Sequence, residues 1–192
     1  MNPEEILEHF RDTNALLEGH FILSSGLHSS VYLQCALALQ YPADAAKFAQ
    51  AIAKKLGGEN FDTVASPAIG GLVIGYETAR VLNVRLIWTE RENGLMTLRR
   101  GFSVRPNEKV LVVEDVITTG GSTRECIAAI EIHGARVTGA ASIIDRSGGA
   151  ADVGVPRVAL ASLEVPSYQL EQCPLCAKGE AAVKPGSRST KI

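Results

Sequence analysis

The apolar positions of the chain fall into short blocks that alternate between a helical and an extended rhythm. Asn2-Pro3-Glu4-Glu5 carries the marks of a helix start, with Asn2 as cap, proline at the first helical position and acids in the first turn. Ile6, Leu7 and Phe10 then form an apolar stripe. Gly19 to Tyr32 reads as extended, with turn chemistry at Ser24-Ser25-Gly26. Ala43 to Leu56 is an alanine-rich helix that turns Phe48 and Ile52 inward and stops at Gly57-Gly58. A short buried strand over Phe61–Ala65, a helix over Gly71–Leu82 and a strand over Val84–Thr89 follow. Met96 to Arg99 pairs back as an edge hairpin across Glu92-Asn93-Gly94. Val110 to Val113 has no polar interruption and predicts a strand buried on both faces. A helix over about Gly121–His133 closed by Gly134, a strand from Arg136 to Ile144 and a last strand over Val158–Leu163 complete the pattern.

Strands alternating with helices predict an α/β fold, a mainly parallel central sheet with helices on both faces. Ligands of such sheets bind outside the carboxyl ends of the strands, near a switch point. Residues 1–176 are expected to form one domain, with 1–40 as an amino-terminal helix and hood segment. The stretch 177–192, rich in Lys, Gly, Pro, Ser and Thr, is expected to be a flexible tail. No repeat or linker divides the chain.

Composition narrows the class of protein without identifying it. At 192 residues, 46% apolar and 21% charged, the chain is an ordinary globular domain. A net charge of -2 gives no electrostatic case for nucleic acid or membrane as a partner. The acidic, polar amino terminus and the lack of a long apolar run argue against a secretory signal or a membrane span, so the cytoplasm is the expected location. Of four cysteines, Cys35 and Cys126 are isolated and read as small buried hydrophobes. Cys173-Pro-Leu-Cys176 has the spacing of a metal or redox pair. A zinc site needs about four ligands, and no second pair or nearby histidine follows, so the pair reads as a terminal turn. His20 and His28 flank the Ser-Ser-Gly turn and read as structural, with a place beside a ligand as the other possibility.

The chemistry concentrates at the end of the Val110–Val113 block. Two carboxylates, Glu114 and Asp115, stand there, and Thr118-Thr119-Gly120-Gly121-Ser122-Thr123 runs straight into a helix. Backbone N–H groups and the dipole of a helix N-terminus favour a phosphate, and hydroxyls add donors without bulk. The acids suit ribose hydroxyls, or a metal ion shared with a second phosphate. A tight βα turn also needs glycine for conformational reasons alone. The string is neither a Walker loop nor GxGxxG.

As a whole it resembles the phosphoribosyl-diphosphate (PRPP) motif of the type I phosphoribosyltransferases. Leu16-Leu-Glu-Gly-His-Phe-Ile-Leu-Ser-Ser-Gly-Leu-His-Ser29, Ser66-Pro-Ala-Ile-Gly-Gly71, Glu90-Arg-Glu-Asn-Gly94, Leu98-Arg-Arg-Gly-Phe102 and Ile144-Asp-Arg-Ser-Gly-Gly149 resemble the short bacterial orotate branch of that family, over roughly Leu16 to Cys176. The resemblance implies transfer of phosphoribose from PRPP to orotate in pyrimidine biosynthesis, with diphosphate released. It assigns Glu114 and Asp115 to the ribose hydroxyls, with Asp115 steadying positive charge at the anomeric carbon. Val116, Ile117, Thr118, Thr119, Gly120, Gly121 and Ser122 wrap the 5′-phosphate, and Ala68, Ile69 and Gly70 face the diphosphate. Arg146, Thr118, Ser25 and Gly26 hold orotate, the alternative for Arg146 being a surface arginine beside Asp145. The family's closing loop often carries two lysines and a histidine. The matching segment here, Glu90 to Gly101, has neither. Arg91 is therefore expected to meet PRPP as a catalytic cation, with Arg99 or Arg100 as further candidates. The resemblance also implies Mg²⁺ carried by PRPP with no direct protein ligand, and a homodimer. Two other readings share the fold: a transferase for another base, and a PRPP-sensing regulator.

Overall fold

In a computed structural model, which describes residues 1–23 and 25–185, the amino terminus opens on helix α1 (Pro3–Asp12). Its start is a capping box. Asn2 Oδ1 accepts from the Glu5 N–H at 2.9 Å, and Glu5 Oε2 accepts from the Asn2 N–H at 2.8 Å. Ile6 and Phe10 are buried, as the stripe predicts. The extended stretch that follows is a hairpin, β1 (Leu16–Ile22) antiparallel to β2 (His28–Leu33). Ser24 lies outside the described residues. A one-turn helix α2 (Cys35–Leu39), which the sequence pattern did not signal, leads into α3 (Pro42–Lys55).

The central sheet begins with β3 (Thr63–Pro67), α4 (Leu72–Leu82), β4 (Arg85–Glu92) and β5 (Leu95–Leu98). It continues through β6 (Lys109–Ile117), α5 (Gly121–Glu131), β7 (Arg136–Asp145) and β8 (Arg157–Ser162). The strand order is β5-β4-β3-β6-β7-β8, parallel except for the antiparallel edge pair β4–β5. Asn93 and Gly94 both have positive φ at the β4–β5 turn, the conformation that a tight hairpin demands.

Along β6 the side chains alternate between two cores. Leu111 and Val113 pack with Phe10, Phe48, Ile52 and Ile74 on the α1/α3/α4 side. Val110 and Val112 pack with Cys126, Ile127 and Ile130 of α5 on the other. Each such buried side chain contributes roughly 1.5–3 kcal/mol relative to exposure. At the amino ends of the strands, buried Glu108 accepts from Arg85 Nη2 at 2.7 Å and from Thr63, tying β3, β4 and β6 together at the end opposite the carboxyl-end loops.

After β8 the chain crosses to the small sheet, where β9 (Ser167–Tyr168) pairs with β2 in the order β1-β2-β9. A 3₁₀ turn (Leu170–Gln172) and the short helix α6 (Pro174–Ala177) follow. Part of the segment expected as a flexible tail then lies against β1. The Val183 N–H donates to the His20 carbonyl and the Val183 carbonyl accepts from the Ile22 N–H, both at 2.8 Å. Positions 186–192 lie outside the described residues. Among the described residues no helix is long and apolar enough to cross a membrane.

Candidate active site

The chain leaves β3 towards β4 on one side and later returns with β6 on the other. The carboxyl ends of β3 and β6 therefore border the switch point of the sheet, where neighbouring loops diverge and leave a crevice. Into it run the loop after β3, Ala68–Gly71, and the loop after β6, Thr118–Gly120.

Strand β6 extends four residues further than the apolar block indicated, to Ile117, because Glu114 and Val116 still pair with β7. Glu114 and Asp115 are thus fixed within a strand and point to opposite sides of the pleat. Glu114 is 7% exposed, and its Oε1 is buried with no hydrogen-bond partner among the described residues. Burial and the neighbouring Asp115 carboxylate push its carboxyl up to about 8. Burial raises Asp115 as well, although its Oδ1 accepts from the Val116 N–H at 2.9 Å. Two desolvated carboxyls with an unused acceptor suit a ligand rich in hydroxyls, each hydroxyl supplying the missing donor.

Beyond β6, Gly120 takes a left-handed conformation at the cap of α5, and the first N–H groups of that helix open onto the crevice. Arg124 of α5 reaches back to the Thr119 carbonyl at 3.0 Å and holds the loop in place. A cleft lined by Glu114, Val116, Thr118, Thr119, Gly120, Gly121 and Ser122 results, with Arg91 and Glu125 at its rim. Of the residues expected around the 5′-phosphate, Val116 and Thr118 to Ser122 line this cleft, whereas Ile117 points into the core; Asp115, Arg146 and Ala68–Gly70 are not among its lining residues.

The loop after β3 meets the same point from the other side. A Cβ at Gly70 would lie 2.8 Å from Asp115 Oδ1, and one at Gly71 would lie 2.8 Å from the Val113 carbonyl. Only glycine allows this backbone to sit against the acid. Gly70→Ala is expected to displace the Asp115 carboxylate and lower kcat/KM of the reaction this cleft carries out by about tenfold, the effect of misplacing one group in a preorganised site. Steady-state kinetics beside a circular dichroism spectrum checks this, and an unchanged kcat/KM would sink it.

Arg146 is the second unusual group. It follows β7 directly, and its N–H donates to the Ile117 carbonyl at 2.8 Å, which sets it beside the end of β6. Its Nε is buried without a partner among the described residues, and burial lowers the guanidinium's pKa. Arg146 is half-buried and does not pair with Asp145. The Asp145 carboxylate instead takes Arg157 at 2.9 Å, with the Ser147 and Gly149 N–H groups at 2.8 and 3.0 Å. Cys35, at the start of α2, lies against Asp115 and feels the Arg146 charge, so those three side chains share one neighbourhood. The sequence pattern did not single out Cys35 here, because nothing local marks the helix that carries it.

Arg91 donates to the Gly94 carbonyl at 2.9 Å and pairs with Glu125, an acid of α5 that sequence reading passed over. Arg100 is held on Glu90 at 2.8 Å, and Arg99 on Glu92 at 3.1 Å. Ser25 and Gly26 occupy the exposed turn between β1 and β2, and neither lines the cleft.

Known proteins match this arrangement. The phosphoribosyl transferase domain family matches residues 38–161. Over 188 residues the chain is 52% identical to the orotate phosphoribosyltransferase of Pelotomaculum thermopropionicum, covering 98% of this chain and 99% of that protein. The orotate phosphoribosyltransferase of Thermotoga maritima is likewise 52% identical over 188 residues, with 98% and 99% covered. Among solved structures, orotate phosphoribosyltransferase from Aeropyrum pernix superposes with a TM-score of 0.71 at 29% identity, over 82% of this chain and 93% of that chain.

Proposed function

The chain belongs to the phosphoribosyl transferase family, with orotate phosphoribosyltransferases as relatives over nearly its whole length, and on that footing we infer that it transfers the 5-phosphoribosyl group from PRPP to orotate. The products are orotidine 5′-monophosphate and diphosphate, a step of pyrimidine biosynthesis. The observation that carries the choice of base is Arg146, a half-buried guanidinium whose Nε is buried with no partner among the described residues, following the strand beside β6. A planar cation left unpaired in such a place calls for a planar anion, and the carboxylate of orotate supplies one.

The residues divide the work by charge. The amino end of α5 and the Thr118–Ser122 loop receive the 5′-phosphate. Glu114 and Asp115 accept from the ribose hydroxyls, and the negative charge of Asp115 favours the oxocarbenium-like anomeric carbon as its bond to diphosphate breaks and its bond to the orotate nitrogen forms. The Ala68–Gly71 loop borders the diphosphate, and Arg91 at the rim is the cation placed to meet it. Mg²⁺ fits this cleft, since the unpartnered Glu114 oxygen is a hard ligand of the kind it takes, directly or through a bound ribose hydroxyl. When bound with PRPP, the ion neutralises diphosphate charge. The protein is read as a cytoplasmic enzyme. A homodimer is favoured by the apolar face that Ile69, Val73 and Tyr76 expose around the start of α4, and sedimentation would read the mass.

The direct test follows the ultraviolet absorbance of orotate after mixing protein, PRPP and Mg²⁺, beside uracil, hypoxanthine and adenine. Orotate alone is expected to turn over, and EDTA is expected to abolish the rate. Turnover of another base would replace the substrate assignment. PRPP binding with no turnover of any base would favour a sensor.

A further inference from the structure

Outside the residues that line the cleft, four side chains that the proposed reaction does not use converge on one point: His20 of β1, His28 of β2, and Cys173 and Cys176 at the start and within α6. Their ligand atoms all lie within 4.8 Å of one another. His20, His28 and Cys173 are 5%, 6% and 3% exposed, so water serves these groups poorly. We propose that His20, His28, Cys173 and Cys176 form a closed, structural zinc site that clips the carboxyl-terminal segment to the β1–β2 hairpin.

Three observations support it. The first is spacing. Tetrahedral Zn²⁺ with bonds of about 2.3 Å to sulfur and 2.0–2.1 Å to nitrogen sets its sulfur and nitrogen ligands roughly 3.6 Å apart. Here Cys173 Sγ and Cys176 Sγ lie 3.5 and 3.6 Å from His20 Nε2, and Cys176 Sγ lies 3.3 Å from His28 Nδ1, while the two nitrogens, 2.7 Å apart, would open to roughly 3.3 Å around the ion. The second is hydrogen-bond capacity. His20 Nε2 has His28 Nδ1 at 2.7 Å as well as both sulfurs around it. A neutral imidazole nitrogen has one in-plane lone pair, so it cannot serve three donors. A cation at the centre uses every lone pair at once.

The third is the outer shell. His20 Nδ1 lies 2.8 Å from the Glu180 carbonyl, a contact that requires the proton on Nδ1 and leaves Nε2 free to coordinate. Metal-bound histidines are oriented by such carbonyls. The donor set of two thiolates and two imidazoles in a compact site selects Zn²⁺ among common divalent ions. No protein position remains for water or substrate, which makes the role structural. Sequence reading had left Cys173 and Cys176 as a terminal turn for want of further ligands. Those ligands stand about 150 residues earlier, joined to the pair by the fold and by Val183 on β1.

The test uses the full chain. Protein stripped with a chelator and reconstituted with Zn²⁺ is expected to retain one ion per chain through gel filtration and to melt higher than the stripped form. Co²⁺ in its place is expected to show tetrahedral d–d bands and thiolate charge-transfer absorption. Cys173→Ser/Cys176→Ser is expected to lose the retained zinc and the charge-transfer band, and His20→Asn to weaken binding at least tenfold. Should either variant fail to fold, the competition of wild-type protein with a chromophoric chelator still decides. Zinc that washes off the wild type, an octahedral cobalt spectrum, or equal retention by the double variant would each overturn the site.

Discussion

Replacing Arg146 by methionine is expected to raise KM for orotate about 100-fold, the consequence of losing roughly 3 kcal/mol of charge-assisted pairing. The binding of PRPP is expected to change little, because the phosphate loop and the ribose acids keep their places. The melting temperature is expected not to fall. In the free protein the Arg146 guanidinium is held beside the site with a buried, unpartnered Nε and a depressed pKa, so it costs stability in the absence of ligand. Methionine fills a similar volume without a charge. Kinetics with orotate and PRPP varied separately, together with a thermal melt, reads all three quantities. An unchanged KM for orotate would remove Arg146 from the base pocket. A lowered melting temperature would make it a packing residue.

Glu114→Gln is expected to do opposite things to activity and stability. Glutamine keeps the shape but cannot offer a carboxylate to ribose hydroxyls, and the loss of a charged hydrogen bond of about 1.5–3 kcal/mol corresponds to a fall in kcat/KM for PRPP of roughly 10–100-fold. Stability moves the other way, and its pH dependence follows from protonation. The folded carboxyl keeps its proton up to about 8, whereas the unfolded one releases it near 4.5. Between those values the unfolded chain binds fewer protons than the folded one, so wild-type stability falls as pH rises across the window. Below pH 4.5 both states are protonated and the cost vanishes.

The variant escapes this cost. It is expected to match the wild type near pH 4.5 and to gain on the order of 4 kcal/mol by pH 8, about 8–16 °C in melting temperature for a chain of this size. Melting curves at several pH values give the answer. A constant difference across the range would mean that Glu114 is not the group that titrates. The wild type should also bind PRPP more tightly as pH rises toward 8, an effect that the glutamine variant should lack.

Arg146 and Glu114 share one physical logic. Each is an ionisable group at least partly shielded from water before its ligand arrives, and each has a buried polar atom without a partner among the described residues. A site arranged in advance for phosphoribose and an anionic base stores that cost in the free protein and recovers it on binding.

Much of this was legible along the chain because the signals were local. The Val110–Val113 run, the Glu114–Asp115 pair and the glycine and hydroxyl loop lie within fourteen consecutive positions, Val110 to Thr123, so strand, acids and helix start read as one unit. The α1 cap and the β4–β5 turn were equally plain, since capping boxes and Asn-Gly turns act between residues three or fewer apart. Local sequence therefore dictated the alternation of elements, the mainly parallel sheet and the glycine and hydroxyl loop after β6. The tertiary structure alone decided how far β6 extends, since only pairing with β7 carries Glu114 and Val116 into the sheet. It alone turned Asp145 to Arg157 and left Arg146 Nε without a partner among the described residues. It alone brought His20 and His28 to Cys173 and Cys176. Each of these rests on contacts between segments distant in sequence, and local propensity carries no information about which distant partner will arrive.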